Sequence, residues 1–339
     1  MRLERVRIHS LGMVEPESFL SSEEIERRLA PLYQRAKLPE GRLELQTGIT
    51  SRGVWPVGTR PSSIATAAAQ EILQNFPKEN VDLLLHASVC RDFLEPATAA
   101  VVHRNLGLSA HTMISDLSNA CLGVLSAILM AGKMIDAGAI RTALIVSGEN
   151  GGPLLEETIR HLLNDPQMDR KRIKPFMASL TIGSAGVAIL LTHDSLAPDA
   201  PKILGGTTLT DSASVELCQG DGSTSGLMME TDSELLLKAG VKLAAANWKR
   251  TQEVLGWNVP DKIIPHQVGV AHRLAFLEAL ELPLDRDFET FRRYGNTGSA
   301  ALPLTLIKAR DAGFLSSGDR VALLGIGSGL TSTMLGVEW

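Results

Sequence analysis

Two stretches of the 339-residue chain repeat each other at an offset near 180 residues, and that spacing narrows the possible folds more than any other feature. Asp82-Leu83-Leu84-Leu85-His86 recurs as Asp261-Lys262-Ile263-Ile264-Pro265-His266, displaced by 179 or 180 positions. Asn119-Ala120-Cys121 stands opposite Asn296-Thr297-Gly298, displaced by 177. Each of these opens a small-residue helix that closes on Asp-Ala-Gly, at Asp136–Gly138 and Asp311–Gly313. A buried strand follows each helix, Thr142–Ser147 and Arg320–Leu324, and an alanine-rich helix precedes each histidine, Ser62–Leu73 and Leu235–Leu255. Matches kept in one order at so long an offset mark a duplicated domain, not a solenoid.

The local patterns agree with an α/β chain whose sheets are covered on both faces. Val81–Ala87, Thr142–Ser147 and Val187–Leu191 are nearly continuous apolar runs, as strands buried on both sides require. Leu3–Met13 reads as a short strand, and Ser21-Ser22-Glu23-Glu24 as a helix start with serine ahead of acidic first-turn residues. Ser62 or Ser63 is the expected cap of the helix Ser62–Leu73, and Gly107 the expected stop of the helix Ala97–Leu106. Cys121–Gly138 is apolar almost all round, which predicts a central helix packed by neighbours on every side. Asn150–Pro175, with a helical stretch Leu154–Leu163, and the Gly/Ser/Thr-rich Gly205–Gly226 fit no repeat and read as connecting or site-covering loops. Residues 1–195 and 196–339 are therefore expected as the two halves, with an inserted region at about 150–180.

Composition excludes several classes. Thirty-three basic against 38 acidic residues leave a net charge of −5, which argues against an obligate nucleic-acid binder. No apolar stretch is long enough to span a bilayer and no leader follows Met1–Arg7, so a cytoplasmic location is expected. Cys90, Cys121 and Cys218 are too few and too scattered for a disulfide framework or a cysteine-based zinc site, so any cysteine chemistry rests on one residue alone.

Cys121 heads the central helix, where free N–H groups and the helix dipole favour a thiolate and a lowered pKa; a free cysteine is equally at home buried and inert. His266 directly follows a buried strand, at the sheet end where sites form, and Asn296 lies in the turn Tyr294-Gly295-Asn296-Thr297-Gly298-Ser299. Taken singly, either has a structural use. The duplication brings the Cys121 and Asn296 helix starts together, with His266 nearby, a set that suits acyl transfer through a cysteine thioester. Gly325-Ile326-Gly327-Ser328-Gly329-Leu330 lacks the βαβ continuation of a dinucleotide site; the Ser328 and Cys121 N–H groups together would make an oxyanion hole, and a plain tight turn is the alternative. Glu95, before a proline at a helix entrance, either favours the first turn or serves as a base for an α-proton.

These motifs, N-A-C-x-G ahead of the central helix, H-Q after a strand, G-N-T-G-S, and a terminal G-I-G-S-G-L, resemble the thiolase superfamily in its ketoacyl synthase III-like branch. The segments S-V-C-R-D-F-L-E-P-A-T-A and L-L-G-I-G-S-G-L-T-S-T-M are most similar to OleA-type enzymes, which join two acyl-CoA chains head to head. The resemblance implies a thiolase-like fold of two pseudo-duplicated halves in five layers, α-β-α-β-α. It further implies Cys121 as the acylated nucleophile, His266 and Asn296 polarising the second thioester, and Cys121 and Ser328 N–H groups as the oxyanion hole. Glu95 would be the general base, reaching into a partner subunit's site, which makes the enzyme a homodimer. The implied reaction is a non-decarboxylative Claisen condensation, with decarboxylative ketoacyl synthase III activity on malonyl-carrier protein as the alternative. Neither a metal nor a cofactor is implied beyond the CoA of the acyl-CoA substrates, and hydrocarbon-pathway enzymes would act downstream. Thr181–Val187 reads T-I-G-S-A-G-V in place of the acidic G-D-G-A-G-A of decarboxylating members. For the CoA phosphates, Arg170, Lys171, Arg172 and Lys174 are the clustered candidates, with Arg52, Arg91 and Arg160 as scattered ones.

Overall fold

A computed structural model describes residues 1–223 and 226–339; the side chains of 221–226 are left aside. The strands are β1 (Val6–Val14), β2 (Ser18–Ser21), β3 (Ser51–Val54), β4 (Leu83–Ala87), β5 (Met113–Leu117), β6 (Thr142–Glu149) and β7 (Ala185–His193), then β8 (Lys202–Thr210), β9 (Cys218–Ser223), β10 (Gly226–Thr231), β11 (Lys262–Pro265), β12 (Arg320–Gly327) and β13 (Thr331–Glu338). The helices are α1 (Ser22–Arg28), α2 (Ala30–Ala36), α3 (Arg42–Thr47), α4 (Pro61–Leu73), α5 (Thr98–Leu106) and α6 (Gly123–Asp136), then α7 (Gly152–Asn164), α8 (Ser233–Leu255), α9 (Val270–Ala279), α10 (Phe291–Tyr294) and α11 (Ala301–Asp311).

Nine strands run in the order β11-β12-β13-β8-β1-β7-β6-β4-β5. On one side of the middle, β1 is antiparallel to β7, β7 to β6, and β6 is parallel to β4. On the other, β8 is antiparallel to β13, β13 to β12, and β12 is parallel to β11. The two runs share one sequence of directions and meet at a single register pair, Arg7 with Lys202. The counterpart of β5 is reduced to one bridge between Ile263 and Asp287.

Alternation of side chains across each strand builds the layers. Leu83, Leu85, Ala143 and Ile145 point to one cluster, where they meet Leu125 and Ile128 of α6, Leu302 and Leu306 of α11, and Val321 and Leu323 of β12. Leu84, Leu144 and Val146 point the other way, onto α4 and α5. Ala322 and Leu324 do the same against α8 and α9. The layers are therefore helices, strands, the pair α6 and α11, strands, helices. A fourth cluster joins α1, α2, α3 and α7 into a cap. The fold class is α/β and thiolase-like, as the motifs imply.

Local expectations hold in part. Ser21 caps α1, its hydroxyl accepting the Glu24 N–H at 3.0 Å, and Gly107 stops α5 with φ +62°. Neither Ser62 nor Ser63 caps α4. Pro61 starts that helix, and Asp92 from the loop after β4 accepts the Ser62 N–H at 2.9 Å. The central helix begins at Gly123, so Cys121 stands in the turn before it. Gly205–Gly226 is not a loop: it holds most of β8, a 3-10 turn Ser212–Leu217 and β9, with residues 224 and 225 outside the described ones.

Candidate active site

The C-terminal ends of β4, β6, β11 and β12 lead to the site, as the crossover logic of parallel strands requires. Between β5 and α6 the chain makes a tight turn through Ala120, whose φ of +45° is unusual for a residue with a side chain. Leu122 N–H closes this turn on Asn119 O at 2.8 Å, and Asn119 Nδ2 bonds Ser126 Oγ at 2.8 Å inside α6. Cys121 is thereby held at the apex. The β12–β13 turn comes close behind it: a Cβ built on Gly327 would lie 3.5 Å from the Cys121 nitrogen, which sets the following Ser328 beside the nucleophile turn.

Asn296 approaches from the second half. Its N–H bonds Thr181 O at 3.0 Å, its carbonyl accepts from Gly183 N–H at 2.9 Å, and its Oδ1 accepts from Gly298 N–H at 3.1 Å. The amide group of the side chain is left beside the Cys121 thiol, where it favours the thiolate. The thiol's acidity runs against the helix-dipole expectation. Burial pushes its pKa up to about 12, the charge of Glu149 and the neighbouring Cys218 push the same way, and the Asn296 amide and the Cys121 N–H pull it back only in part. The dipole argument fails because Cys121 lies ahead of α6 in a desolvated pocket beside a carboxylate.

His266 continues β11, its N–H bonding Leu324 O at 2.9 Å. It is 5% exposed, its Nδ1 is buried without a partner, and burial followed by His272 lowers its pKa to about 3. The imidazole is neutral at physiological pH. Gln267 beside it ties the strand end to the Asn296 turn: its Oε1 accepts the N–H groups of Thr290 at 2.9 Å and Phe291 at 3.1 Å.

Two residues that sequence reasoning missed complete the centre. Glu149, at the end of β6 and 3% exposed, accepts Val89 N–H and Ser299 N–H at Oε1, both at 2.9 Å, and Cys90 N–H at Oε2 at 3.1 Å. Ser299 Oγ accepts Val124 N–H, 2.9 Å away in the first turn of α6. The available signal was an acid ending a strand that is otherwise apolar and small.

Residues 255–339 match the family model of the 3-oxoacyl-[acyl-carrier-protein] synthase III C terminal. An acyl-CoA:acyl-CoA alkyltransferase of Shewanella oneidensis is 40% identical, with 100% of both chains covered. The chain belongs to the acyl-CoA:acyl-CoA alkyltransferase family. A crystal structure of a variant of this family from Xanthomonas campestris, OleA with bound lauric acid and lauroyl-CoA, superimposes with a TM-score of 0.94 at 36% identity, covering 99% of this chain and 100% of that one. A β-ketoacyl-[acyl-carrier-protein] synthase III of Geobacillus kaustophilus stands further off, at 26% identity over 98% of each chain.

Within this alkyltransferase fold the structure joins Cys121, Asn296 and the Ser328 turn, and sets His266 at the same end of the second half. Glu95 stands apart. Its arm projects from the β4–α5 connection with Leu94 94% exposed, and Glu95 itself faces solvent. Only the arm's base is fixed: Asp92 N–H bonds Thr98 Oγ1 at 3.1 Å, and Asp116 accepts Thr98 and Ala99 N–H, both at 2.8 Å. Arg52 cannot serve a CoA phosphate, because it is 0% exposed and spent on Leu20 O and Ser22 Oγ. Arg170, Lys171, Arg172 and Lys174 are exposed, as are Arg91 and Arg160. Among the described residues no helix is long and apolar enough to cross a membrane, and no cluster of three His, Cys, Asp or Glu is set to hold a metal.

Proposed function

We propose that this chain condenses two long-chain acyl-CoA thioesters, without decarboxylation, into a 2-alkyl-3-ketoacyl-CoA. Cys121 Sγ attacks the first acyl-CoA; its proton leaves with the released CoA thiol, and an acyl thioester remains on the enzyme. The Cys121 and Ser328 N–H groups hold the oxyanion of that step. A second acyl-CoA then loses an α-proton to Glu95, its enolate attacks the thioester carbon, and Cys121 departs as thiolate to be reprotonated. His266 and the Asn296 amide hydrogen-bond the second thioester's oxygen as it gains charge. A neutral His266 fits this role: its buried, unpartnered Nδ1 is best assigned the lone pair, leaving Nε2–H as a donor without an added positive charge. The observation that carries the reading is the joining of the Asn296 turn to the Cys121 turn at the junction of the two halves, through the bond from Val124 N–H to Ser299 Oγ, in a chain of this family.

Residues 1–195 and 196–339 are the two thiolase-like halves, with the α7 region inserted in the first. The working unit is a homodimer. Its support is the unpaired edge of β5, where Met113, Ile114 and Met130 expose 47%, 40% and 57% of their surface around an apolar cleft. Glu95, extended on its arm, acts in the partner's site. The enzyme works in the cytoplasm, needs no resident cofactor, takes CoA only as part of its substrates, and supplies a β-keto thioester to enzymes that make long-chain ketones or olefins.

Supplying myristoyl-CoA alone and analysing products by mass spectrometry tests the reaction. A two-chain β-keto product is expected. Its absence, with turnover on malonyl-carrier protein instead, would transfer the enzyme to the ketoacyl synthase III reaction.

A further inference from the structure

Glu149 lies at the seam of the site, and the condensation steps above give it nothing to do. Its three hydrogen bonds all come from main-chain N–H groups: two from Val89 and Cys90 after β4 in the first half, one from Ser299 ahead of α11 in the second. Ser299 then takes up the N–H of Val124, one of the donors that a helix start leaves without an intrahelical partner. Carboxylate and hydroxyl thus link the turn carrying Asn296 to the turn carrying Cys121. Two glycines make room for the link. A Cβ at Gly298 would lie 3.0 Å from the Glu149 carboxylate, and one at Gly123 would lie 2.7 Å from Ser299 Oγ.

We propose that Glu149 is a positioning residue for the condensation, its carboxylate fixing the Asn296 turn and, through Ser299, the start of the Cys121 helix across the two halves. The proposal rests on the reading of Cys121 as the acylated nucleophile. The same carboxylate has a second effect on that cysteine. The titratable groups facing the thiol are Glu149 at the end of β6 and Cys218 at the start of β9, and both oppose its ionisation; the Asn296 amide and the Cys121 N–H favour it. Geometry and charge therefore pull opposite ways. Losing the carboxylate loosens the alignment of the site while making the thiol more acidic, whereas a merely structural residue would not shift the thiol's pH profile.

The test uses the full chain and two readouts. The first is carbamidomethylation of Cys121 by iodoacetamide between about pH 7 and about pH 10, read on the Cys121 peptide so that Cys90 and Cys218 do not confuse it. The second is two-chain product from myristoyl-CoA. Glu149→Gln keeps the size, removes the charge and turns an NH₂ donor toward one of the main-chain N–H groups. Its alkylation at pH 8 should rise about tenfold, a shift of one unit, while condensation falls about tenfold or more. Glu149→Asp keeps the charge, so its alkylation profile should stay at the wild-type position while condensation falls through the shorter reach. Ser299→Ala drops the Val124 bond and leaves the carboxylate, so condensation should fall with the profile unmoved. Undiminished condensation in Glu149→Gln, or a wild-type alkylation profile there, overturns the proposal. Should that variant not fold, full condensation in Ser299→Ala or a thiol profile in Glu149→Asp displaced to lower pH overturns it. A wild-type Cys121 that never takes an acyl group would instead remove the nucleophile reading, and the proposal with it.

Discussion

The centre of the site and the arm that carries Glu95 are built on opposite principles. Around Cys121 every element is tied twice: the Ala120 turn through Asn119, the Asn296 turn through Thr181 and Gly183, and the two turns to each other through Glu149 and Ser299. The arm has a fixed base at Asp92 and Thr98 and a tip in solvent, with Phe93 and Leu94 exposed beside Glu95. On the proposed function, one chain holds the acylation half of the chemistry, and deprotonation arrives from a second copy.

The largest effect falls on Cys121. Cys121→Ala should abolish both acyl-adduct formation and product, a loss of about 10⁴-fold or more; condensation surviving in that variant would remove the centre from the mechanism. Glu95→Gln should separate the two regions. Mass spectrometry should find the Cys121 acyl adduct forming at close to the wild-type rate, while two-chain product falls by roughly 10²- to 10⁴-fold. Equal loss of both steps would merge the arm with the centre.

Stability sharpens the contrast further. Gly298→Ala places a methyl group against Glu149 at a φ of +58°, and should cost about 1–3 kcal/mol in denaturant unfolding. The buried histidines add a pH dependence confined to the interior. Burial lowers His266 to about 3 and His86 to about 4, below the ordinary value of 6.5 that each regains on unfolding. Between these limits the unfolded chain binds more protons, so stability is full above pH 6.5 and falls as pH drops toward 4. A melting curve should show Tm decreasing over that window, and a slope less steep in His266→Asn. At the arm's tip, Leu94→Ser should change unfolding free energy by no more than about 0.5 kcal/mol.

How much of this was legible in the sequence follows the same division. The duplication exposed the paired central helices and the strands that follow them, because each half repeats one hydrophobic pattern, and repetition is a signal that composition cannot imitate; the order of strands in the sheet came only with the structure. Cys121 and Asn296 could be grouped because they occupy fixed places in that repeat, and the Ser328 turn was marked by the alternating glycines Gly325, Gly327 and Gly329. Glu149 and Ser299 could not, since their partners are main-chain N–H groups 59 to 175 residues away, and main-chain donors leave no mark in a sequence. The same blindness mistook Ser62 for a cap that Asp92 supplies from 30 residues on. Solvation was the other gap. Position ahead of a helix suggested an acidic thiol, but desolvation depends on what the second half folds over it, and here it outweighs the dipole.

The claim that one site draws on two copies has a direct test. Neither Cys121→Ala nor Glu95→Gln should make product alone. Mixed under conditions that exchange subunits, they form dimers in which one site combines Cys121 of one copy with Glu95 of the other. Two-chain product from myristoyl-CoA should reappear in the mixture. Silence in a mixture whose subunit exchange has been verified by native mass spectrometry would contradict it.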